Sequence, residues 1–236
     1  MVLVHGIGMS HRYLSRLHDV LAERTRVLSV DLPGFGGLPK PRRDLDVTEM
    51  ADAMIEVIRS AEPGPVVLVG HSMGAQWVVE GALVRPEGVQ AVVTIGPVAD
   101  DRHRTLPAQA WGLAVDTWGE SPLANAIVFT DYLRCGVRWY LTQARHMLRY
   151  PIERRVAALG VPLVVLRGGK DPIAGRDWCR RIRDAAGDGV LIEVPRRHHV
   201  VQHSAPRAVA SAIIASTTAR PAAPLAGRRS AEVMAS

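Results

Sequence analysis

A chain of 236 residues with 47% hydrophobic content can bury one substantial core, which sets a single catalytic-sized domain as the default. The formal charge of +6 comes almost wholly from arginines scattered as singles or short pairs such as Arg42-Arg43 and Arg196-Arg197, none interleaved with aromatics, which argues against a nucleic-acid partner. Cys135 and Cys179 are too few for a disulfide framework, and no run reaches the roughly eighteen apolar residues of a membrane span, so a soluble cytoplasmic protein with reduced thiols is expected.

In chain order, an apolar strand-like segment at 1–5 closes on the glycine-rich turn H-G-I-G at 5–8, and a helical stretch follows near 11–23. A second strand at 26–30 runs into D-L-P-G-F-G at 31–36, where Asp31 suits a loop-structuring role because its side chain can satisfy N–H groups of the turn. After a helix near 47–61 comes an aliphatic run at 65–70, the length and composition of a strand buried on both faces. It ends in G-H-S-M-G at 70–74 and passes into a small, apolar helix near 73–85. Ser72 thus falls on a strand-to-helix turn, where flanking glycines allow a backbone sharp enough to raise a nucleophile above the sheet.

A fourth strand at 91–96 precedes the one break in the rhythm, the stretch from Pro97 to Val161, which is too long for an ordinary connection and must fold as a unit of its own. It holds seven of the chain's eleven aromatics, so a helical lid spanning 98–161 is expected, with Trp111, Trp118, Phe129, Tyr132 and Trp139 as candidate substrate-binding residues. The strand at 162–168 then leads to G-G-K-D-P, placing Asp171 just past a strand end. A helix near 176–186, a strand at 189–194, the segment R-H-H-V-V-Q-H-S-A-P at 197–206 and a helix at 205–216 complete the pattern; from 217 to 236 the composition shifts to Ala, Pro, Arg and Ser, a disordered tail by composition. Strands alternating with helices give an α/β class: a mostly parallel, doubly wound sheet whose core is 1–97 and 162–216.

A serine hydroxyl needs a base, an orienter for that base and donors for an oxyanion. Ser72, then a carboxylate, then an imidazole is a chain order that supplies the first three groups, with Asp171 ahead of Asp100 and Asp101 as the acid and His199 ahead of His198 as the base. His199 and His203 have the spacing of a zinc helix, but Val200 stands where that motif needs Glu, so no metal is expected. Position 11 is His rather than the third glycine of a dinucleotide fingerprint, no phosphate-loop G-K-[ST] occurs, and no cofactor is expected.

With H-G-x-G at 5–8, D-L-P-G-F-G at 31–36, G-H-S-M-G at 70–74, G-x-x-D ending at Asp171 and the His199-to-Pro206 spacing all in one order, the chain resembles the α/β-hydrolase superfamily, in its lidded, esterase-like branch, from Met1 to about Ser216. The resemblance implies Ser72 as nucleophile, His199 as general base, Asp171 as its orienter, and the backbone N–H groups of Ile7 and Met73 as the oxyanion hole. It implies a serine hydrolase of a small or medium carboxylic ester or thioester, acting through an acyl-serine on a small-molecule substrate. Carbon–carbon bond hydrolysis, acyl transfer or perhydrolysis on the same triad, and a non-enzymatic ligand sensor, are the alternatives. Members of this superfamily usually carry two further strands before the H-G-x-G strand. The sheet is therefore expected to lack its first two strands, with the natural start upstream or the exposed edge covered by a partner.

Overall fold

The computed structural model describes residues 1–62, 64–108, 111–112 and 122–218, the last stretch with its side chains from residue 125 onward. Among the described residues six strands form one sheet in the order β2-β1-β3-β4-β5-β6, with every neighbouring pair parallel: β1 is Val2–Val4, β2 Leu28–Val30, β3 Val66–His71, β4 Val89–Ile95, β5 Leu163–Gly168 and β6 Gly189–Val194. The central strands are aliphatic because both of their faces are covered: Leu68, Val92 and Val165 point into one apolar cluster, while Val67, Val69, Val93 and Val164 point into the other.

Helices α1 (Ser15–Ala22) and α8 (Pro206–Thr218) cover the second cluster, and α2 (Val47–Ala61), α3 (Gly74–Val84) and α7 (Arg176–Ala185) cover the first. Where one helix was expected near 11–23, a 3-10 turn at His11–Leu14 precedes α1, started by Ser10, whose hydroxyl accepts from Arg12 N. Asp46 opens α2 with a capping box: its carboxylate accepts from Glu49 N at 2.9 Å, and the Glu49 carboxylate accepts from Asp46 N at 3.0 Å. The chain passes from β1 outward to β2 and then to β3 on the other side of β1. The loops after β1 and β3 therefore diverge at a topological switch point, above the carboxyl ends of the strands.

Between β4 and β5 the chain leaves the sheet to form α4 (Pro122–Cys135), α5 (Val137–Arg149) and the short α6 (Ile152–Arg155). Buried polar side chains fasten this excursion to the core. Asp131 on α4 accepts from Ser10 Oγ at 2.6 Å and Arg12 Nη1 at 3.2 Å, and Gln143 on α5 donates to Leu45 O at 2.9 Å. Glu80 on α3 accepts from Tyr150 Oη at 2.8 Å and from the Arg155 guanidinium at 2.9 and 2.8 Å. Among the described residues no helix is long and apolar enough to cross a membrane. Trp118 and the tail beyond residue 218 lie outside the described residues.

Candidate active site

Ser72 follows the last residue of β3 with φ 57°, a left-handed backbone that a non-glycine residue adopts only when its surroundings impose it. The surroundings here are tight. A methyl group on Gly74 would sit 2.5 Å from His5 O and 2.6 Å from Val4 O, and one on Gly70 would sit 2.2 Å from Gly74 O. Only glycine lets α3 press down on β1 closely enough to make this turn. The Ser72 N–H is held by Ile95 O at 2.9 Å, which fixes the turn against the end of β4.

The loop after β1 approaches the same point. Gly6 lies so close to Ser72 that a Cβ there would stand 2.9 Å from Ser72 Cβ. Leu32 N donates to His5 Nε2 at 3.1 Å, so the His5 proton resides on Nδ1, which donates to Gly6 O at 2.8 Å; Met9 N donates to the same oxygen at 3.2 Å. The Gly6–Ile7 peptide is trans, and with its carbonyl held from one side its N–H, that of Ile7, is directed to the other. Ile7 and Met73 are both buried, and Met73 is the N-cap of α3, an end without a side-chain cap.

Asp171 and His199 meet at the ends of β5 and β6. His199 Nδ1 lies 2.9 Å from Asp171 Oδ2, while Asp171 Oδ1 accepts from Ile173 N at 2.8 Å and Ala174 N at 2.9 Å. Burial alone would raise the Asp171 pKa, but His199 and the two N–H groups outweigh it and hold the carboxyl below its usual range. The two loops are laced together: Gly169 N donates to Val194 O and Lys170 N to Arg197 O, each at 2.8 Å, and a side chain on Gly168 would collide with His198 O. Buried Arg167 braces the turn from below, donating to Ala174 O at 2.7 Å and Asp171 O at 3.2 Å.

Ser72 and His199 share a neighbour in the end of β4. Ile95 O holds the Ser72 N–H, and a methyl on the next residue, Gly96, would come within 3.0 Å of the His199 ring. His71, adjacent to Ser72, also has Nε2 at 3.0 Å from His199 O and its ring centroid 4.8 Å from that of His199. Ser72, His199, Asp171, Ile7 and Met73 thus gather at one rim, from the loops after β1, β3, β5 and β6.

The other sequence candidates lie elsewhere. Asp100 and Asp101 both pair with Arg181, at 2.6 and 2.8 Å. Asp31 packs against Gly36 of its own turn, where a Cβ would sit 2.2 Å from Oδ2, and also reaches His11, accepting from the backbone N and meeting Nδ1, both at 2.6 Å, which joins the loops after β1 and β2. Among the aromatics, Tyr132 stacks edge-on with Tyr140 and touches the H-G-x-G loop, since a Cβ on Gly8 would fall 2.4 Å from its ring. Trp139 is buried against Gly34 and Phe35 of the D-L-P-G-F-G loop. Phe129 is 63% exposed. Trp111, 74% exposed, borders a cavity of about 400 Å³ shared with Pro172 and Ile173 of the Asp171 loop. Among the described residues no three His, Cys, Asp or Glu side chains converge as metal ligands. Sequence reasoning passed over Tyr13 and His71, although the imidazole stands inside the G-H-S-M-G motif itself.

The model of a family described as the alpha/beta hydrolase family matches residues 1–212. A curated relative, the (E)-2-((N-methylformamido)methylene)succinate hydrolase of Acinetobacter baylyi (strain ATCC 33305 / BD413 / ADP1), is 25% identical over 232 residues, covering 90% of this chain and 88% of its own. A probable 1-acylglycerol-3-phosphate O-acyltransferase of Oryza sativa subsp. japonica is 34% identical over 102 residues, 41% of this chain and 25% of that protein, so there the chain spans only about a quarter of the relative. Among solved structures, a thermophilic esterase from Thermogutta terrifontis superposes with a TM-score of 0.79 at 19% identity, covering 92% of this chain and 89% of that one, a likeness of fold.

Proposed function

The chain belongs to the alpha/beta hydrolase family, and from the site geometry we propose that it is a serine hydrolase cleaving a small or medium carboxylic ester or thioester through an acyl-serine. The observation that carries this reading is the buried Asp171–His199 pair, 2.9 Å apart, at the rim that also bears the left-handed Ser72. With Asp171 ionised, the Nδ1 proton of His199 is directed to the carboxylate, and Nε2 is the nitrogen that accepts a proton.

In this mechanism His199 takes the Ser72 proton as Oγ attacks the substrate carbonyl, and the Ile7 and Met73 N–H groups receive the oxyanion. The tetrahedral intermediate collapses, His199 protonates the leaving alcohol or thiol, and the acyl group remains on Ser72. Water then enters, gives its proton to His199 and attacks the acyl carbonyl; the serine oxygen leaves and recovers the proton. The excursion between β4 and β5 acts as the lid, with Tyr132 packed against the H-G-x-G loop and Trp139 against the D-L-P-G-F-G loop. Acyl transfer or perhydrolysis needs only a different acceptor at the same acyl-enzyme.

A second reading follows from the relative named a substituted-succinate hydrolase, which matches along nearly the whole chain. In it the scissile group is an N-acyl bond, and the dicarboxylate lies on the nitrogen side of it. A panel that sets N-acylaminomethylene dicarboxylates beside simple esters separates the two. Replacing Ser72 by Ala is expected to lower p-nitrophenyl ester turnover about a millionfold and to abolish fluorophosphonate labelling while the fold persists. Labelling that survives at another serine would refute the assignment.

A further inference from the structure

A single run of hydrogen bonds passes beneath Ser72 from one side of the site to the other. Gly6 N lies 2.7 Å from Tyr13 Oη, Tyr13 Oη lies 2.6 Å from His71 Nδ1, and His71 Nε2 lies 3.0 Å from His199 O. All four residues are buried. Proton counting fixes the direction. The His199 carbonyl can only accept, so the one proton of the neutral His71 ring is on Nε2 and Nδ1 must accept; Tyr13 Oη therefore donates to Nδ1, while its oxygen accepts from the Gly6 amide, which can only donate. One tautomer of a neutral imidazole satisfies every group.

The termini of this run are the informative part. Gly6 carries the peptide whose next N–H, that of Ile7, is the proposed oxyanion donor, and its carbonyl is already held by His5 and Met9. With Tyr13 on its N–H, both peptides around Gly6 are held in place. At the other end the restrained atom is the main-chain oxygen of His199, whose side chain meets Asp171. We infer that Tyr13 and His71 are positioning residues, which lock the oxyanion loop and the main chain of the base in one fixed relation on either side of the nucleophile. This role rests on the serine-hydrolase reading. Burial, followed by the nearby His199, pushes the His71 pKa down to about 3, and burial raises that of the Tyr13 hydroxyl, so both stay neutral as the run requires. Protonated His71 would offer Tyr13 a donor in place of an acceptor and strand the tyrosine proton.

The test compares Tyr13→Phe, His71→Gln and His71→Leu with the unaltered protein and Ser72→Ala, measuring ester kcat and KM, the rate of fluorophosphonate labelling, and Tm. Displacing reacting groups by a fraction of an ångström is expected to lower kcat on the order of 10-fold to 100-fold in Tyr13→Phe and His71→Leu, with KM within about twofold. His71→Gln, which keeps one donor and one acceptor, is expected to recover part of that loss at a Tm no higher than that of the leucine variant. Turnover within about twofold of the unaltered protein in both Tyr13→Phe and His71→Leu, or a glutamine variant no faster than leucine, overturns the proposal. If the variants do not fold, imidazole nitrogen NMR of the unaltered protein decides: the Nε2–H tautomer of His71, unchanged from pH 8 to 5, supports the run, and an Nδ1–H tautomer or protonation near pH 6.5 overturns it. An unaltered protein that fails to label at Ser72 removes the hydrolase reading and this role together; one that labels, with variants equal to it, removes the role alone.

Discussion

Gly96 and His199 are packed so closely that a methyl group on the glycine would stand 3.0 Å from both Nδ1 and Cε1 of the imidazole and 3.3 Å from Asp171 Oδ2. The glycine also has φ 56°, so its conformation and its bareness serve one contact. Gly96→Ala is expected to cost about 1–2 kcal/mol from the left-handed backbone alone. It should also shift the ring and lower kcat by roughly 10-fold or more, a larger effect than the stability change implies. Steady-state ester kinetics beside a denaturant titration check this; a stability loss without a kcat loss would show that the ring has room to move.

Asp171→Asn keeps the shape of the turn but removes the charge facing His199 Nδ1. The expected outcome is a fall in kcat of about 10⁴-fold with the fold retained, because the imidazole loses the partner that fixes its tautomer. Activity on an activated ester, with circular dichroism as the control, measures it.

Acid should destabilise the protein early. His71 takes its proton only near pH 3 in the folded state and near 6.5 when unfolded, so from pH 6.5 down to about 3 the unfolded chain binds a proton that the native one refuses. Stability from this group is full above pH 6.5 and falls on acidification by about 1.4 kcal/mol per pH unit. His5, whose pKa burial also lowers, adds in the same direction. Urea titrations at pH 7.5, 6 and 5 on the unaltered protein and His71→Gln should show a shallower acid slope in the variant.

Glu80→Ala removes the acceptor of Tyr150, Arg155 and Thr48 from a side chain only 4% exposed. Truncating one partner of a fully buried pair costs about 3–5 kcal/mol, and because the Arg155 side chain is 40% exposed to screening water, a loss of about 2–3 kcal/mol is expected. Thermal and urea unfolding measure that loss, and kcat at 25 °C should hold, since the cluster ties α6 to the outer side of α3 rather than to the rim.

The strands were legible because a parallel sheet covered on both faces demands aliphatic runs. The segments expected at 65–70, 162–168 and 189–194 match β3, β5 and β6 to within a residue. The Ser72 turn was legible for a similar reason: glycines at 70 and 74 are the only residues whose backbones can approach as closely as those of Gly70 and Gly74 do. What stayed hidden depends on contacts between distant segments. Ser10 and Asp131 are 121 residues apart and neither lies in a motif, yet they fasten α4 to the first loop. Asp31 packs within its own turn, but its hydrogen-bond partner His11 belongs to another loop, and sequence spacing carries no trace of that pairing. Which face of α4 or α5 an aromatic occupies follows from how those helices dock, so Tyr132 inside and Phe129 outside look alike in sequence.

His199 enters the site from the loop after β6, the last of the six described strands in the chain and one of the two margins of the sheet. A growing chain therefore presents Ser72, and later Asp171, before the His199 imidazole can stand beside them. The chemistry proposed for Ser72 cannot begin until the loop beyond β6 has been made and the sixth strand has docked, so recovery of ester turnover during refolding would serve as a clock for completion of the sheet rather than for its first collapse.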